Sequence, residues 1–381
     1  MKRKSVVFFS LILILTLCFL PTKITNVYAG LETDVNYKSA CLIDINSGNI
    51  LVDENAKTRV PIASVTKLMT ILLTLEHIAD GKLSLTDKIT VSENASGMGG
   101  SQIFLDANLN YEVGELLKSV IVASANDSSV ALAEHIAGSE NNFVRLMNER
   151  ATELGLENTN YANCTGLPSN DGYSCALDQA KVLSKVINYD IYHNYSSIWL
   201  EDFAHPDGRT TQMTNTNKLS RFYSGCLGGK TGSTNQAKYC LAVGAKRGNT
   251  SLVAVVLGVE TSKDRFKLAS NLLDYGFNNF VSTTIFDQTN LENVSVKIKG
   301  NNRSVKLKAE KSYAVTHKKD EQINYSINYN LPNSLTKVKE NQIVGNVEIV
   351  IDGVVVEKIN LVALETLNEL SVWDYVKQIV N

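Results

Sequence analysis

The chain has 381 residues, 44% hydrophobic and 20% charged, proportions of an ordinary globular protein that exclude a disordered, collagen-like or polytopic membrane chain. Its 37 basic and 39 acidic residues nearly balance, and no basic tract invites nucleic acid. The length suits one large domain followed by a smaller one.

Lys2, Arg3 and Lys4 precede an apolar run from Val6 to Leu20 and a polar stretch ending Val27-Tyr28-Ala29. This is the layout of a secretory signal peptide over residues 1–29, cut after Ala29, and the apolar core is too short for a comfortable membrane span. It predicts a secreted, extracytoplasmic protein. Cys18 follows Leu17, where a lipoprotein site needs a small residue, so no lipid anchor is expected there. Without residues 1–29 the chain keeps 33 basic and 39 acidic residues and five cysteines. Five is odd, so at least one thiol is unpaired. Cys41, inside the run Ala40-Cys41-Leu42-Ile43, reads as a small core residue, whereas Cys164 and Cys175 flank a polar loop and could pair in an oxidising compartment.

In chain order, Ala40 to Asp44 and Ile50 to Val52 alternate as strands around the turn Asn46-Ser47-Gly48-Asn49. Leu68, Ile71, Leu72, Leu75 and Ile78 then form one face of a helix that Gly81 stops. Helical stretches follow at 113–123, 128–136, 142–154 and 177–187. Strands return near 225–231, 239–245 and 252–258, with Arg247-Gly248-Asn249 as a hairpin turn. Two strands, many helices and three strands bury best as one largely antiparallel sheet made from the two ends of a domain and flanked by the helices, an α+β (α/β) arrangement. A last helix over 264–280 would pack on it. Residues 30–286 form this first domain, and the β-rich texture of 287–363 predicts a small separate all-β domain. In the remaining segment, 364–381, Leu370, Trp373, Val376 and Val380 fall on one side of a helix. That helix either touches a membrane surface or docks on the β domain, and the sequence leaves both open.

Three short motifs carry chemistry: Ser64-Val65-Thr66-Lys67, Ser124-Ala125-Asn126 and Lys230-Thr231-Gly232. S-x-x-K recurs at Ser334 to Lys337, and S-x-N at Ser47, Ser92, Ser139 and Ser326, so single matches decide nothing. Context separates them. Ser64 stands where a strongly apolar helix begins, so its hydroxyl and the Lys67 amine, three residues apart, can meet. The bland alternative is an N-cap serine beside a solvated lysine. The other two motifs follow in order, one in a loop between helices and one at the end of a strand opening a hairpin, and K-T-G occurs once.

With this trio the chain resembles the low-molecular-mass penicillin-binding proteins of the serine-type D-alanyl-D-alanine carboxypeptidase family (peptidase S11). The likeness continues through Asn126-Asp127, Ala137-Gly138-Ser139, Met147-Asn148, Leu154-Gly155-Leu156, Gly166-Leu167, Asn215-Thr216-Asn217 and Gly229-Lys230-Thr231-Gly232. It is strong over about 35–285 and looser beyond. The chain departs from the family in having Ala125 where S-G-N is usual, and Ala237-Lys238 where Ala-Gly commonly precedes the next strand.

The resemblance implies a penicillin-binding-protein/β-lactamase-like transpeptidase fold and removal of the terminal D-alanine from peptidoglycan stem peptides through an acyl-enzyme on Ser64, with β-lactams as covalent inhibitors. A serine hydroxyl needs a base, and Lys67 is the nearest, provided burial and the neighbouring Lys230 lower its pKa. In the family pattern Asn126 bonds Lys67 and the substrate backbone, and Ser124 relays a proton to the leaving D-alanine. The amides of Ser64 and Ser233 form the oxyanion hole, while Lys230, Thr231, Gly232, Ser233 and Arg265 hold the substrate's free carboxylate. No cofactor is implied. A zinc peptidase is disfavoured because His77, His135, His193, His205 and His317 lack ligand spacing. A D,D-endopeptidase, a β-lactamase-like hydrolase and an idle cell-wall scaffold are the alternative functions. No glutamate between Asn126 and Lys230 stands out as the deacylating residue a class A β-lactamase needs.

Overall fold

The computed structural model describes residues 34–291, 294–299 and 303–368. The expected signal peptide and the expected C-terminal helix over 370–380 lie outside the described residues. Five strands form the main sheet: β1 (Ser39–Asp44), β2 (Ile50–Glu54), β7 (Cys226–Thr234), β8 (Lys238–Arg247) and β9 (Thr250–Val259). They run antiparallel in the order β2-β1-β9-β8-β7, the two ends of the domain meeting in one sheet as its sequence pattern requires. β9 reads TSLVAVVLGV and is buried along its whole length, an apolar run that fits a central strand covered on both faces.

One face is covered by α1 (Lys67–Ala79), α3 (Val113–Val122), α4 (Asn126–Ala137), α5 (Glu140–Glu153) and α6 (Ala176–Val186). Their apolar stripes and the strands share a core that includes Leu68, Leu72, Leu117, Leu132, Phe143, Leu183 and Val255. On the other face α9 (Ser262–Asn279) lays Leu268, Leu272 and Leu273 against Leu42, Leu241, Leu252 and Val256. No described helix is long and apolar enough to cross a membrane.

Several short elements lie beyond those the sequence pattern predicts: the ribbon β3 (Lys88–Thr90) and β4 (Asn110–Glu112), α2 (Glu93–Ser96), α7 (Asp190–Ser196), the hairpin β5 (Leu200–Ala204) and β6 (Thr210–Thr214), and α8 (Leu219–Phe222). At three to seven residues each they are too short to show a period. The β5–β6 turn did carry a signal, since Pro206-Asp207-Gly208 is strong turn chemistry.

β10 (Phe280–Phe286) leads out of the first body and pairs with β13 (Tyr313–Lys318). Beyond it β11 (Ser295–Ile298), β12 (Ser304–Ala309), β14 (Tyr325–Asn330), β15 (Ser334–Leu335), β17 (Ile343–Ile351) and β18 (Val354–Ala363) form a sheet ordered β14-β17-β18-β12-β11-β15. β16 (Lys337–Val338) pairs with β19 (Leu367–Asn368). Ile285 and Phe286 enter the β core with Val305, Leu307, Ile349 and Leu361, whereas Phe280 packs with the α9 face of the main sheet. The expected boundary at 286/287 therefore falls at the end of a strand shared by both bodies.

All five described cysteines are free, so Cys164 and Cys175 are not joined. Each thiol has its own partner: Cys164 Sγ lies 3.2 Å from Glu140 Oε1, and Cys175 Sγ accepts the Asp178 amide at the start of α6.

Because Leu272 is fully buried between α9 and the sheet, Leu272→Ala is expected to destabilise the fold by about 2–5 kcal/mol, read from the midpoint of urea denaturation.

Candidate active site

A strained turn presents the first serine. Ala63 takes a left-handed φ of 48°, uncommon for a residue with a Cβ, and opens a 3-10 turn over Ala63–Thr66 that runs directly into α1. Ser64 sits on this turn and Lys67 is the first residue of the helix, with Nζ 3.0 Å from Ser64 Oγ. The N-cap alternative is not what forms: Thr66 occupies the cap without a side-chain cap bond, and Lys67 is fully buried.

Two glycines press on the turn. A Cβ on Gly166 would overlap the Ala63 carbonyl, and one on Gly232 would overlap Ile62 O and crowd the amides of Ser64 and Val65. Gly166 also has φ 79°. Both must be glycine, one for space and backbone conformation together, the other for space alone. Asn163 shapes the loop before Gly166, its Oδ1 accepting the Gly166 amide at 2.6 Å and the Thr165 amide at 3.2 Å. That loop delivers the Thr165 carbonyl to Lys67 Nζ at 2.7 Å. Below it, Thr70 Oγ1 donates to Cys164 O at 2.7 Å. Sequence reasoning missed Asn163, Thr165 and Thr70. An Asn three residues before a Gly was the available turn signal for the first.

The second motif joins α3 to α4. Ser124 also has a left-handed φ, 63°, and Asn126 starts α4 with Oδ1 accepting from Lys67 Nζ at 2.6 Å. Ala125 is buried in the cap position with extended φ and ψ, so the chain needs no glycine there. The third motif lies on β7, the edge strand of the sheet. Lys230 Nζ donates to Ser124 Oγ at 2.7 Å and to Thr231 O at 3.0 Å. Ser233 is exposed at the rim. Lys238, at the position the family gives to glycine, adopts the left-handed region itself with φ 56°, so β7 and β8 still pair from Thr234 and Lys238 inward.

Arg265 comes from α9, with Nη1 3.0 Å from Gly232 O and 3.4 Å from Cys240 O. It stacks over the Tyr239 and Phe266 rings, and its buried Nε has no protein partner. It meets K-T-G through the backbone and not through Lys230 or Ser124. Of the other predicted side chains, Ser64, Lys67 and Asn126 form one hydrogen-bonded group and Ser124 with Lys230 a second.

Lys67, Lys230 and Arg265 crowd the cleft with no carboxylate of the described residues at ion-pair distance. Burial pushes the Lys67 amine down to about 7. Lys230 is held well below the usual lysine range by burial first, then by the charges of Lys67 and Arg265. Burial also lowers Arg265. A neutral lysine amine has two N–H donors and one lone pair. Asn126 Oδ1 and Thr165 O take the two donors, which leaves the lone pair toward Ser64 Oγ and makes the amine a proton acceptor for that hydroxyl. An anion, such as a terminal carboxylate, is favoured beside Lys230 and Arg265, whose charged forms it would stabilise.

Residues 26–261 match the family model described as D-alanyl-D-alanine carboxypeptidase, and residues 280–369 match that of the penicillin-binding protein 5 C-terminal domain. The chain is 39% identical over 288 residues to the D-alanyl-D-alanine carboxypeptidase DacF of Bacillus subtilis, covering 75% of this chain and 74% of DacF. It is 31% identical over 374 residues to the D-alanyl-D-alanine carboxypeptidase DacC of Escherichia coli, covering 94% and 92%. Penicillin binding protein 5 from Haemophilus influenzae superposes with a TM-score of 0.71 at 32% identity, covering 90% of this chain and all of that one.

Gly166→Ala removes no functional group, yet it pushes a methyl into the turn that carries Ser64. Strain of this kind costs about 1–3 kcal/mol, and the rate of Ser64 acylation by a labelled penicillin is expected to fall at least about tenfold, measured on protein shown to be folded by its melting curve.

Proposed function

The chain belongs to the D-alanyl-D-alanine carboxypeptidase family of serine peptidases, and from that premise we propose how its residues divide the reaction. It is a serine-type enzyme of the bacterial cell wall that removes the terminal D-alanine of peptidoglycan stem peptides. The observation that carries the assignment of roles is the buried Lys67 amine, 3.0 Å from Ser64 Oγ and fastened on its other sides to Asn126 Oδ1 and Thr165 O.

Ser64 Oγ attacks the carbonyl of the D-Ala-D-Ala peptide bond as its proton passes to Lys67 Nζ. The oxyanion is received by the amides of Ser64 and Ser233, each such donor contributing on the order of 3 kcal/mol. Collapse breaks the C–N bond, and the proton that Lys67 received passes to the departing amine by way of Ser124 Oγ, which Lys230 holds at 2.7 Å, leaving Lys67 neutral again. D-alanine leaves and an ester on Ser64 remains. Water then attacks the ester, giving a proton to Lys67, which returns it to Ser64 Oγ as the C–O bond breaks and the shortened peptide leaves. Lys230, Thr231, Gly232 and Ser233 seat the substrate carboxylate on β7, and Arg265 supports it through the K-T-G backbone. β-Lactams acylate the same Ser64. Among the described residues no carboxylate bonds Lys67 or Ser64 to direct water onto it, so the bulky β-lactam acyl-enzyme is expected to hydrolyse more slowly than the peptide ester.

Residues 1–29 act as an export signal, which N-terminal sequencing of the mature protein tests by finding Gly30 first. The segment 370–381 gives the enzyme a peripheral hold on the outer face of the membrane, and its deletion is expected to move the protein into the soluble fraction. Residues 30–286 are read as the catalytic unit and 287–363 as a stalk.

The central test is release of D-alanine from a peptide ending in Lys-D-Ala-D-Ala. The mature protein is expected to release it and Ser64→Ala to release none. Labelling of Ser64 by penicillin without D-alanine release would favour endopeptidase action, and no labelling would favour an idle scaffold. The sign of the pH dependence follows from Lys67: the neutral amine is the active form, so kcat/KM is expected to rise with pH through about 7 and then level.

A further inference from the structure

The loop between α2 and β4 reaches into the cleft, and what holds it there extends well outside the three motifs. Two of its carbonyls grip Asn126: Gly99 O accepts from Nδ2 at 2.6 Å and Ser101 O accepts from the backbone amide at 2.7 Å. From the inside, the buried Asp127 carboxylate accepts the amides of Ile103 and Leu105 at 3.1 Å each. At Phe104 the backbone is left-handed, φ 63°, and the residue is 55% exposed. A bulky residue does not stay in that conformation unaided.

The outer restraint is the tip of the β5–β6 hairpin, more than a hundred residues away in sequence. Arg209 Nη2 donates to Phe104 O at 3.0 Å and to Asp106 Oδ2. Tyr111 OH donates to Asp106 Oδ2 and accepts the Asp106 amide, both at 3.2 Å. Behind them, His205 lies between Tyr111 OH at 3.2 Å and Thr211 Oγ1 at 2.9 Å, and Asp207 lies 3.6 Å from Arg209 Nε. Arg209 thus spans the strained residue with the two N–H groups of one nitrogen, Nη2, while its Nε faces Asp207.

We propose that Arg209 is a positioning residue: from the hairpin tip it holds the 99–106 loop on Asn126, and so keeps the Asn126 oxygen on Lys67 and water away from the lysine amine. This rests on the reading of Lys67 as the base. Lys67 faces Lys230 from β7, Asp127 from α4 and Cys164 from the 163–166 loop, and none of these touches Arg209. Loosening the loop therefore acts on Lys67 through hydration, which restores the ordinary preference for the charged form.

The test is the pH profile of kcat/KM for D-alanine release by the full-length mature enzyme, wild type against Arg209→Ala. The variant is expected to lose about tenfold at pH 7, to recover at alkaline pH, and to show its inflection about one pH unit higher. Arg209→Lys, which keeps the charge toward Asp106 but has no Nε to face Asp207, should recover part of the loss. An inflection in Arg209→Ala at the wild-type pH, with or without a fall in rate, overturns the proposal. Should Arg209→Ala not fold, Asp106→Asn is read the same way. A wild-type profile with no inflection near 7 would sink the general-base reading itself, so the two failures are distinguishable.

Discussion

The cleft depends on keeping one amine dry. Taking an ammonium out of water without a counter-charge costs several kcal/mol, and Lys67 is fully buried with neutral oxygens as its fixed partners. Moving its pKa from the ordinary 10.5 to about 7 corresponds to roughly 5 kcal/mol, an imposition the fold sustains because Asn126 and Thr165 satisfy both N–H groups. The same displacement links to folding. Between pH 7 and 10.5 the unfolded chain holds a proton that the folded chain has released, so stability rises with pH across that window.

The geometry around this amine is assembled from four places: the turn before α1, the α3–α4 junction, the 163–166 loop and the edge strand β7. Two residues with a Cβ, Ala63 and Ser124, sit in the left-handed region, each beside a reacting group or carrying one. Such conformations persist only where the surroundings over-determine them. Here the surroundings are Gly166 and Gly232 against the first turn, and Lys230 on the second.

Much of the frame was legible in sequence because it rests on long periodic segments. The alternation of β1 and β2, the apolar face of α1 and the continuous run of β9 each pointed to one placement, and the two ends of the domain had only one sheet to share. The three motifs were legible for a different reason, their order and spacing. What stayed hidden acts through backbone atoms or through elements of a few residues. Nothing in Thr165 marks its carbonyl as a partner of Lys67. Nothing in His205, one of five scattered histidines, marks it as part of a brace on the cleft. The polar loop between Cys164 and Cys175 hid that each thiol has a local partner, Glu140 for one and the α6 amide for the other. Family spacing singled out Arg265 without showing that it grips the Gly232 carbonyl.

β10 joins the two bodies as a shared strand and not as a tether. Phe280 at its start is buried with the α9 face, Phe286 at its end is buried in the β core, and between them Ser282 bonds Thr316 at 2.6 Å while its amide accepts no freedom, donating to Thr250 Oγ1 at 2.9 Å. The Lys319 amide adds a bond to Asn279 O at 2.9 Å. A joint built this way resists swivelling, so a pull on the far end of the β body is delivered to β9 and the main sheet as torque. Swinging one body against the other would have to break the β10–β13 ladder or unseat Phe280 or Phe286.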